Sequence, residues 1–134
     1  MTTKEILEKY KQITVVGMST NPRKYAHSVP MFMFSQGYNV VAVNPFIDNI
    51  NGIKSYKKIA DVEEKIEILD VFRPSEACLD VVKEAVERKK EKGDIEVIWL
   101  QLGIVNDEAK KLAEDNDIIF IQDKCLYREY NQFF

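Results

Sequence analysis

A polar turn after the first apolar run holds the residues best suited to bind an anion. It contains one glycine, two hydroxyl groups, one amide and two cations: Gly17, Ser19, Thr20, Asn21, Arg23 and Lys24. A strand–turn–helix junction directs backbone amides and the positive end of a helix dipole to one point, which suits phosphate. The glycine would allow a ligand to approach the backbone closely. The alternative is a plain strand-to-helix turn with solvated cations, since the G-x-G-x-x-G pattern of dinucleotide-binding proteins is absent.

The second apolar run, residues 39–44, ends in Asn44 and is followed by Pro45. NAD-binding domains place Asp or Glu at this point, where the carboxylate accepts hydrogen bonds from the ribose. A neutral Asn44 therefore disfavours NAD and leaves NADP or coenzyme A (CoA), both of which carry an additional ribose phosphate. The alternative is that Asn44-Pro45 is only a turn signal.

Two later strands also end in residues that can face a ligand. Arg73 follows Phe72 just ahead of a predicted helix, so that an anion could contact both the guanidinium and the helix N-terminus. Gln101 and Gly103 follow the next strand and either line the far side of the same groove or serve as turn residues. Asp70 is expected to be a hydrogen-bonded structural carboxylate. It is not the phospho-acceptor of a receiver domain, because the acidic pair that such domains need after the first strand is missing.

No residues form a recognisable catalytic or metal-binding set. His27 is the single histidine, and no nucleophile stands at a triad-like spacing from it. Cys78 and Cys125 are far apart, and no C-x-x-C motif occurs. We expect Cys125 to be buried and inert, with a reactive thiol as the alternative if nearby cations lower its pKa.

The elements that must position these residues are strands separated by helical segments. Five runs rich in Val, Ile and aromatic residues are mostly continuous rather than alternating, as in strands buried on both faces: residues 13–17, 39–44, 66–72, 96–102 and 117–123. Long crossovers between them imply parallel pairing in right-handed units. We predict a Rossmann-like three-layer α/β/α fold with a parallel sheet of five or six strands in the order 3-2-1-4-5-6. The sixth is an edge strand near residues 52–54; without it, the sheet has five strands and the order could be flavodoxin-like.

Three local features refine this prediction. A capping box at Thr2 and Glu5 predicts a leading helix over about residues 3–11. The next helix should begin near Ser28, because Pro30 is tolerated only in a first turn. The charged run at residues 87–92 is expected to be a solvated face.

Composition bounds the class of protein. A length of 134 residues predicts one domain over residues 1–134, and a net charge of −3 argues against a nucleic-acid-binding protein. No signal peptide or membrane-spanning run is apparent, so we expect a cytoplasmic domain that does not contact a membrane. Four aromatic residues near the end have helical spacing and need a surface to cover, in this chain, in a second copy of it or in a partner protein: Tyr127, Tyr130, Phe133 and Phe134.

Taken in order, the motifs resemble the small single-domain CoA-binding protein family, and the chain is similar to the CoA-binding domain of succinyl-CoA synthetase. The resemblance spans about residues 13–129. The segments that carry it are Val16-Gly17-Met18-Ser19, Asn21-Pro22, Lys24-Tyr25, Gly37-Tyr38, Val43-Asn44-Pro45, Asp70-Val71-Phe72-Arg73, Trp99-Leu100-Gln101-Leu102-Gly103-Ile104 and Asp123-Lys124-Cys125.

The resemblance implies that CoA lies across the carboxyl ends of strands 1, 2 and 4. It places the pyrophosphate at Gly17, Ser19 and Thr20, beside Asn21. It places the 3′-phosphate end of the adenosine between Lys24 and Tyr25. It has Asn44 and Pro45 border the adenosine, and Phe72 and Arg73 the pantetheine or phosphate path. Ligase activity is not implied, since larger relatives use a phosphohistidine and a partner subunit.

Three functional hypotheses follow. The first is a non-catalytic module that binds CoA or an acyl-CoA. The second is an NADP-dependent oxidoreductase or another nucleotide-dependent enzyme component, which would need a substrate pocket normally supplied by a second domain. The third is a protein-interaction role for the aromatic tail.

Overall fold

A single mixed sheet organises the chain. The computed structural model describes all 134 residues. The seven strands are β1 (Gln12–Val16), β2 (Asn39–Val43), β3 (Asn49–Ile50), β4 (Ile53–Tyr56), β5 (Ile68–Val71), β6 (Val97–Leu100) and β7 (Ile119–Ile121). The five helices are α1 (Thr3–Lys9), α2 (Tyr25–Ser35), α3 (Cys78–Lys92), α4 (Asp107–Asp115) and α5 (Leu126–Phe133). Short 3₁₀ turns occupy Ile59–Asp61 and Ser75–Ala77.

The strand order is β3-β4-β2-β1-β5-β6-β7. The six strands from β4 to β7 are parallel, and their order is the predicted one, with β4 as the predicted edge strand. The order reverses between β2 and β5, on either side of β1. This reversal opens a crevice at the carboxyl ends of these strands, which is where α/β sheets bind ligands.

The prediction of five or six strands was one short, and the sheet is not wholly parallel. Strand β3 pairs antiparallel with β4, so that a hairpin rather than a single strand forms the edge. Asn51 and Gly52 connect the two strands, and both have positive φ, at 52° and 89°. Asn-Gly is the preferred pair for such a two-residue turn, so the signal was present in the sequence.

Helices cover both faces of the sheet, as predicted. On one face, α1, α2 and α5 pack over residues such as Val15 and Trp99, and the Trp99 ring is fully buried. On the other face, α3 and α4 pack over residues such as Val16 and Leu100. Neighbouring strand residues enter opposite cores because side chains alternate across a strand.

Helix α2 begins at Tyr25, three residues before the predicted start, and Pro30 lies inside it. A proline in a helix leaves the carbonyl four residues earlier without its usual donor. Here that carbonyl belongs to Ala26, and the backbone N–H of Ser19 donates to it at 3.1 Å. The turn after β1 therefore supplies the hydrogen bond that Pro30 removes, which is why the proline is tolerated. Helix α1 likewise ends two residues early, with Tyr10 as its cap.

Arg88 departs from the solvated face expected for residues 87–92. Its side chain is 3% exposed and forms a 2.8 Å ion pair with Asp94. The guanidinium also donates to the carbonyls of Ile59, Val62 and Glu64. Burial raises the pKa of Asp94, but hydrogen bonds from Arg88 and the Ile66 amide outweigh it and hold that pKa below its ordinary value. This network ties the segment after β4 to α3.

Candidate functional site

The turn after β1 is held by its own polar groups. The Ser19 N–H donates to the Ala26 carbonyl, and the Ser19 hydroxyl accepts from the Asn21 N–H at 3.0 Å. The Asn21 side chain in turn accepts from the Arg23 N–H at 3.0 Å. Ser19 and Asn21 therefore shape the turn. The Thr20 amide forms no hydrogen bond within the chain and is open to a ligand.

The start of α2 adds further open donors. The backbone amides of Tyr25 and Ala26 have no acceptor within the chain, and the cap residue Lys24 supplies no side-chain cap. No acidic side chain lies in the first turn of this helix. The positive end of the helix dipole is thus uncompensated beside the turn, a favourable place for a phosphate.

Gly17 is required by the chain itself. A Cβ at this position would overlap the backbone carbonyl oxygen of Phe72, and its φ is +86°. The Gly17 N–H donates to the Val43 carbonyl at 3.3 Å. The glycine therefore lets the exits of β1 and β5 approach each other, a structural role beside the close approach of a ligand that the sequence predicts.

A crevice of about 480 Å³ with a mixed polar and apolar lining, here called the β1–β2 crevice, opens at the ends of β1, β2 and β5. Five predicted site residues line it: Gly17, Asn44, Pro45, Phe72 and Arg73. Asn44 is half-buried and joins two loops, because its side-chain amide donates to the Met18 carbonyl at 3.3 Å and its oxygen accepts from the Phe46 N–H at 3.0 Å. Two neighbouring strand exits are thereby held at a constant separation.

The sequence analysis did not identify three polar or aromatic side chains that line this crevice. Phe46 is 91% exposed at the mouth of the crevice, and Lys57 and Glu84 line its wall. The Glu84 carboxylate accepts from the Ile59 N–H at 3.0 Å, whereas neither Lys57 nor Arg73 forms an ion pair. Lys57 could have been found, because it follows β4 and parallel strands place their carboxyl ends on one edge.

A second and more apolar depression, here called the α2–α5 cleft, has a volume of about 760 Å³. Tyr25, Phe72 and Gln101 are the predicted site residues that line it. Cys125 also lines it and is half-buried, not fully buried as expected. Phe72 belongs to both the crevice and the cleft, so the two regions meet at this side chain.

Beneath the α2–α5 cleft lies a buried acid. Asp70 is fully buried and accepts a hydrogen bond from the Gln101 side chain, as expected for a structural carboxylate. The Gln101 oxygen accepts from the Leu126 N–H at 3.3 Å, so both ends of this amide are occupied. The second carboxyl oxygen of Asp70 has no partner. Burial raises the pKa of Asp70 to about 8.

The remaining candidates lie beside the two depressions. Ser19, Thr20, Asn21 and Lys24 line neither, although they form the turn next to both. Gly103 also lines neither, and its N–H donates to the Asp123 carboxylate at 2.7 Å. Gly103 is therefore placed as a turn residue.

Other features bear on ligands and surroundings. His27 is buried in α2 and lines neither depression. No group of three or more His, Cys, Asp or Glu side chains is arranged to hold a metal ion. None of the five helices has the length and hydropathy needed to span a bilayer.

The aromatic tail packs on its own chain. The Phe32 ring of α2 lies 4.6 Å from the Tyr127 ring and 5.5 Å from the Tyr130 ring, in edge-to-face contacts. Tyr130 also stacks on Phe134 at 5.1 Å. Part of the surface that the tail was expected to need is therefore α2.

Sequence comparison finds relatives that align with most of the chain. A family model described as a CoA binding domain matches residues 11–131. The chain is 37% identical to the protein YneT of Bacillus subtilis over 92% of this chain and 87% of that protein. It is 24% identical to an ADP-forming acetate–CoA ligase of Methanocaldococcus jannaschii, over 87% of this chain but only 17% of the ligase.

Structural comparison agrees with the fold. A protein of Thermus thermophilus superposes with a TM-score of 0.89 at 33% identity, covering 98% of this chain and 96% of that one. A dinucleotide-forming acetyl-coenzyme A synthetase of Ca. Korarchaeum cryptofilum superposes with a TM-score of 0.76 at 21% identity, over 92% of this chain and 28% of the synthetase. The second likeness concerns the fold alone.

Proposed function

The chain belongs to the CoA-binding domain family, and from this premise we propose that it is a non-catalytic module that binds CoA. The adenosine occupies the β1–β2 crevice. The diphosphate contacts the open amides of Thr20 and the α2 N-terminus, and the pantetheine arm passes Phe72 towards the α2–α5 cleft. The observation that carries the proposal is a crevice lined by Lys57 and Arg73 at the reversal of strand order, next to backbone amides that have no acceptor.

Charge supports the choice of ligand. Arg73 and Lys57 both line the crevice without an ion pair, and Glu84 is the single acidic side chain among its lining residues. A ligand that carries phosphates on both its diphosphate and its ribose would neutralise both cations. Neutral Asn44 lies where an acidic side chain would repel a ribose phosphate.

Lys57 is the better candidate for the 3′-phosphate. The resemblance assigned that phosphate to Lys24 and Tyr25, but Lys24 caps α2 outside both depressions and Tyr25 lines the α2–α5 cleft. Lys57 follows β4, next to the exit of β2 that borders the adenosine. In this arrangement Lys24 serves the diphosphate at the turn.

Calorimetric titration with CoA, 3′-dephospho-CoA, NAD and NADP tests the proposal. We expect CoA to bind at sub-millimolar concentration and more tightly than either nicotinamide cofactor. Binding of NADP without binding of CoA would support the oxidoreductase alternative and refute the proposal. Recovery of CoA and acetyl-CoA unchanged after prolonged incubation with the protein is the expected result for a non-catalytic module.

A matched pair of variants tests the phosphate assignment. Lys57→Ala should weaken CoA about tenfold and 3′-dephospho-CoA less than about twofold, since a charge-assisted contact to phosphate is lost. Lys24→Ala should weaken both ligands equally. A selective loss of CoA affinity in Lys24→Ala would return the 3′-phosphate to that residue.

A further inference from the structure

The α2–α5 cleft is too apolar to be explained by the pantetheine arm alone. Its inner surface is formed by aliphatic and aromatic side chains, among them Val29, Phe32, Phe72 and Ile104. At about 760 Å³ it is larger than the β1–β2 crevice and lies within the range of small-molecule sites. Leu102 stands at this cleft with 51% of its surface exposed, so apolar area remains open to solvent there.

Two polar groups at the floor of the cleft are already engaged, whereas the polar side chains of Ser28 and Arg128 lie elsewhere in its lining. Gln101 donates to Asp70 and accepts from the Leu126 N–H, so each end of its buried amide already makes one hydrogen bond. The Trp99 ring nitrogen donates to the Lys124 carbonyl at 2.8 Å. Amide groups of a pantetheine arm would find few partners on this floor and would lose hydrogen bonds to water by entering it. A hydrocarbon chain loses none and gains from burial.

We propose that the α2–α5 cleft binds the aliphatic chain of an acyl thioester of CoA. The inference rests on the proposed CoA site, because the cleft and the β1–β2 crevice share the Phe72 side chain in their linings. CoA bound in the crevice with its arm directed past Phe72 would carry its thiol end to the cleft, and an attached acyl chain would enter it. The preferred ligands are therefore acyl-CoA molecules with chains longer than acetyl.

A series of ligands that differ only in chain length measures this preference. Titrations use CoA, acetyl-CoA, butyryl-CoA, hexanoyl-CoA and octanoyl-CoA under one set of conditions. Affinity should rise by about two- to fourfold for each buried methylene, so that octanoyl-CoA binds at least ~30-fold more tightly than acetyl-CoA. Equal affinities across the series would refute the acyl site while leaving the CoA site intact. Failure of every ligand, CoA included, would refute the proposed function itself.

Two exposed residues provide matched variants. Leu102 lines the cleft and is 51% exposed, whereas Phe34 lines neither depression and is 50% exposed. Leu102→Gln should lower the ratio of octanoyl-CoA to CoA affinity at least threefold, and Phe34→Gln should leave the ratio unchanged. Both substitutions replace an exposed apolar side chain, so both variants are expected to fold.

A second copy of this chain is the other possible occupant of the cleft. Analytical ultracentrifugation distinguishes such a dimer interface from an acyl site. If the cleft were an interface between copies, Leu102→Gln would convert a dimer to a monomer and the affinity ratio would not change. That result would overturn the acyl proposal. A sedimentation coefficient shared by the wild type and both variants, together with the altered ratio, supports it.

Discussion

The two depressions that meet at Phe72 are built in different ways. The β1–β2 crevice is made of strand exits and the loops that follow them, with exposed cations and backbone groups at its surface. The α2–α5 cleft is made chiefly of helix side chains and the loop after β6, and its floor is apolar. The first can bind charge because strand ends in a parallel sheet expose polar groups at one edge. The second can bind hydrocarbon because apolar side chains of α2 and α5 face the same gap.

The largest expected effect is the loss of stability on removal of Arg88, which supports the wall of the crevice at Ile59. Arg88→Ala leaves Asp94 buried without its partner and removes donors to the Ile59 and Val62 carbonyls. Breaking a buried ion pair in this way costs about 3–5 kcal/mol of unfolding free energy. Urea denaturation measures the loss. Lys90→Ala, whose side chain is 67% exposed, is the control and should change stability by less than ~0.5 kcal/mol.

Loss of the junction between the two depressions should have the next largest effect. Gly17→Ala places a Cβ against the Phe72 carbonyl at a φ of +86°, which should lower the unfolding free energy by about 2–4 kcal/mol. Gly52→Ala is the matched control, because its φ is +89° and no atom lies within 4 Å of the added Cβ. It should cost about 1 kcal/mol. Equal losses in the two variants would show that Phe72 gives way easily.

Asp70, beneath the α2–α5 cleft, should make the unfolding free energy depend on pH. Its pKa is raised from 3.8 to about 8 by burial, so between these values the folded chain retains a proton that the unfolded chain releases. Stability should therefore fall as pH rises from about 4 to 8. Denaturant midpoints across this range measure the slope, which Asp70→Asn should reduce. An unchanged slope in that variant would assign the pH dependence to other groups.

Phe46 should have the smallest effect, confined to the crevice. The ring is 91% exposed, so Phe46→Ala should leave the unfolding free energy unchanged. Loss of stacking on a base should weaken CoA about fivefold, equivalent to about 1 kcal/mol. The ratio of octanoyl-CoA to CoA affinity should stay constant, because the acyl chain does not reach this residue. Phe34→Ala is the control for loss of an exposed aromatic ring. Titration calorimetry measures the CoA affinity and the ratio, and urea denaturation measures the unfolding free energy.

The crevice was more accessible to sequence reading than the cleft. Residues at strand exits, such as Asn44 and Arg73, could be assigned to one edge because parallel strands place all their carboxyl ends there. Lys57 was missed because the edge strand was predicted near residues 52–54, whereas β4 extends to Tyr56, the residue before Lys57. The cleft depends on how α2 lies against α5, and no local pattern determines that distance.

Sequence patterns alone predict the three-layer α/β/α fold and a resemblance to a CoA-binding family, and they favour the observed order of the six parallel strands over a flavodoxin-like one. These follow from apolar runs, crossover lengths and motif order, which are local properties of the chain. Three contacts become visible only in the folded chain. Gly17 accommodates the Phe72 carbonyl, the Ser19 N–H replaces the donor that Pro30 lacks, and Arg88 is buried against Asp94. In each case the partner is distant along the chain or lies across a turn, and its contact arises only when separate elements pack together.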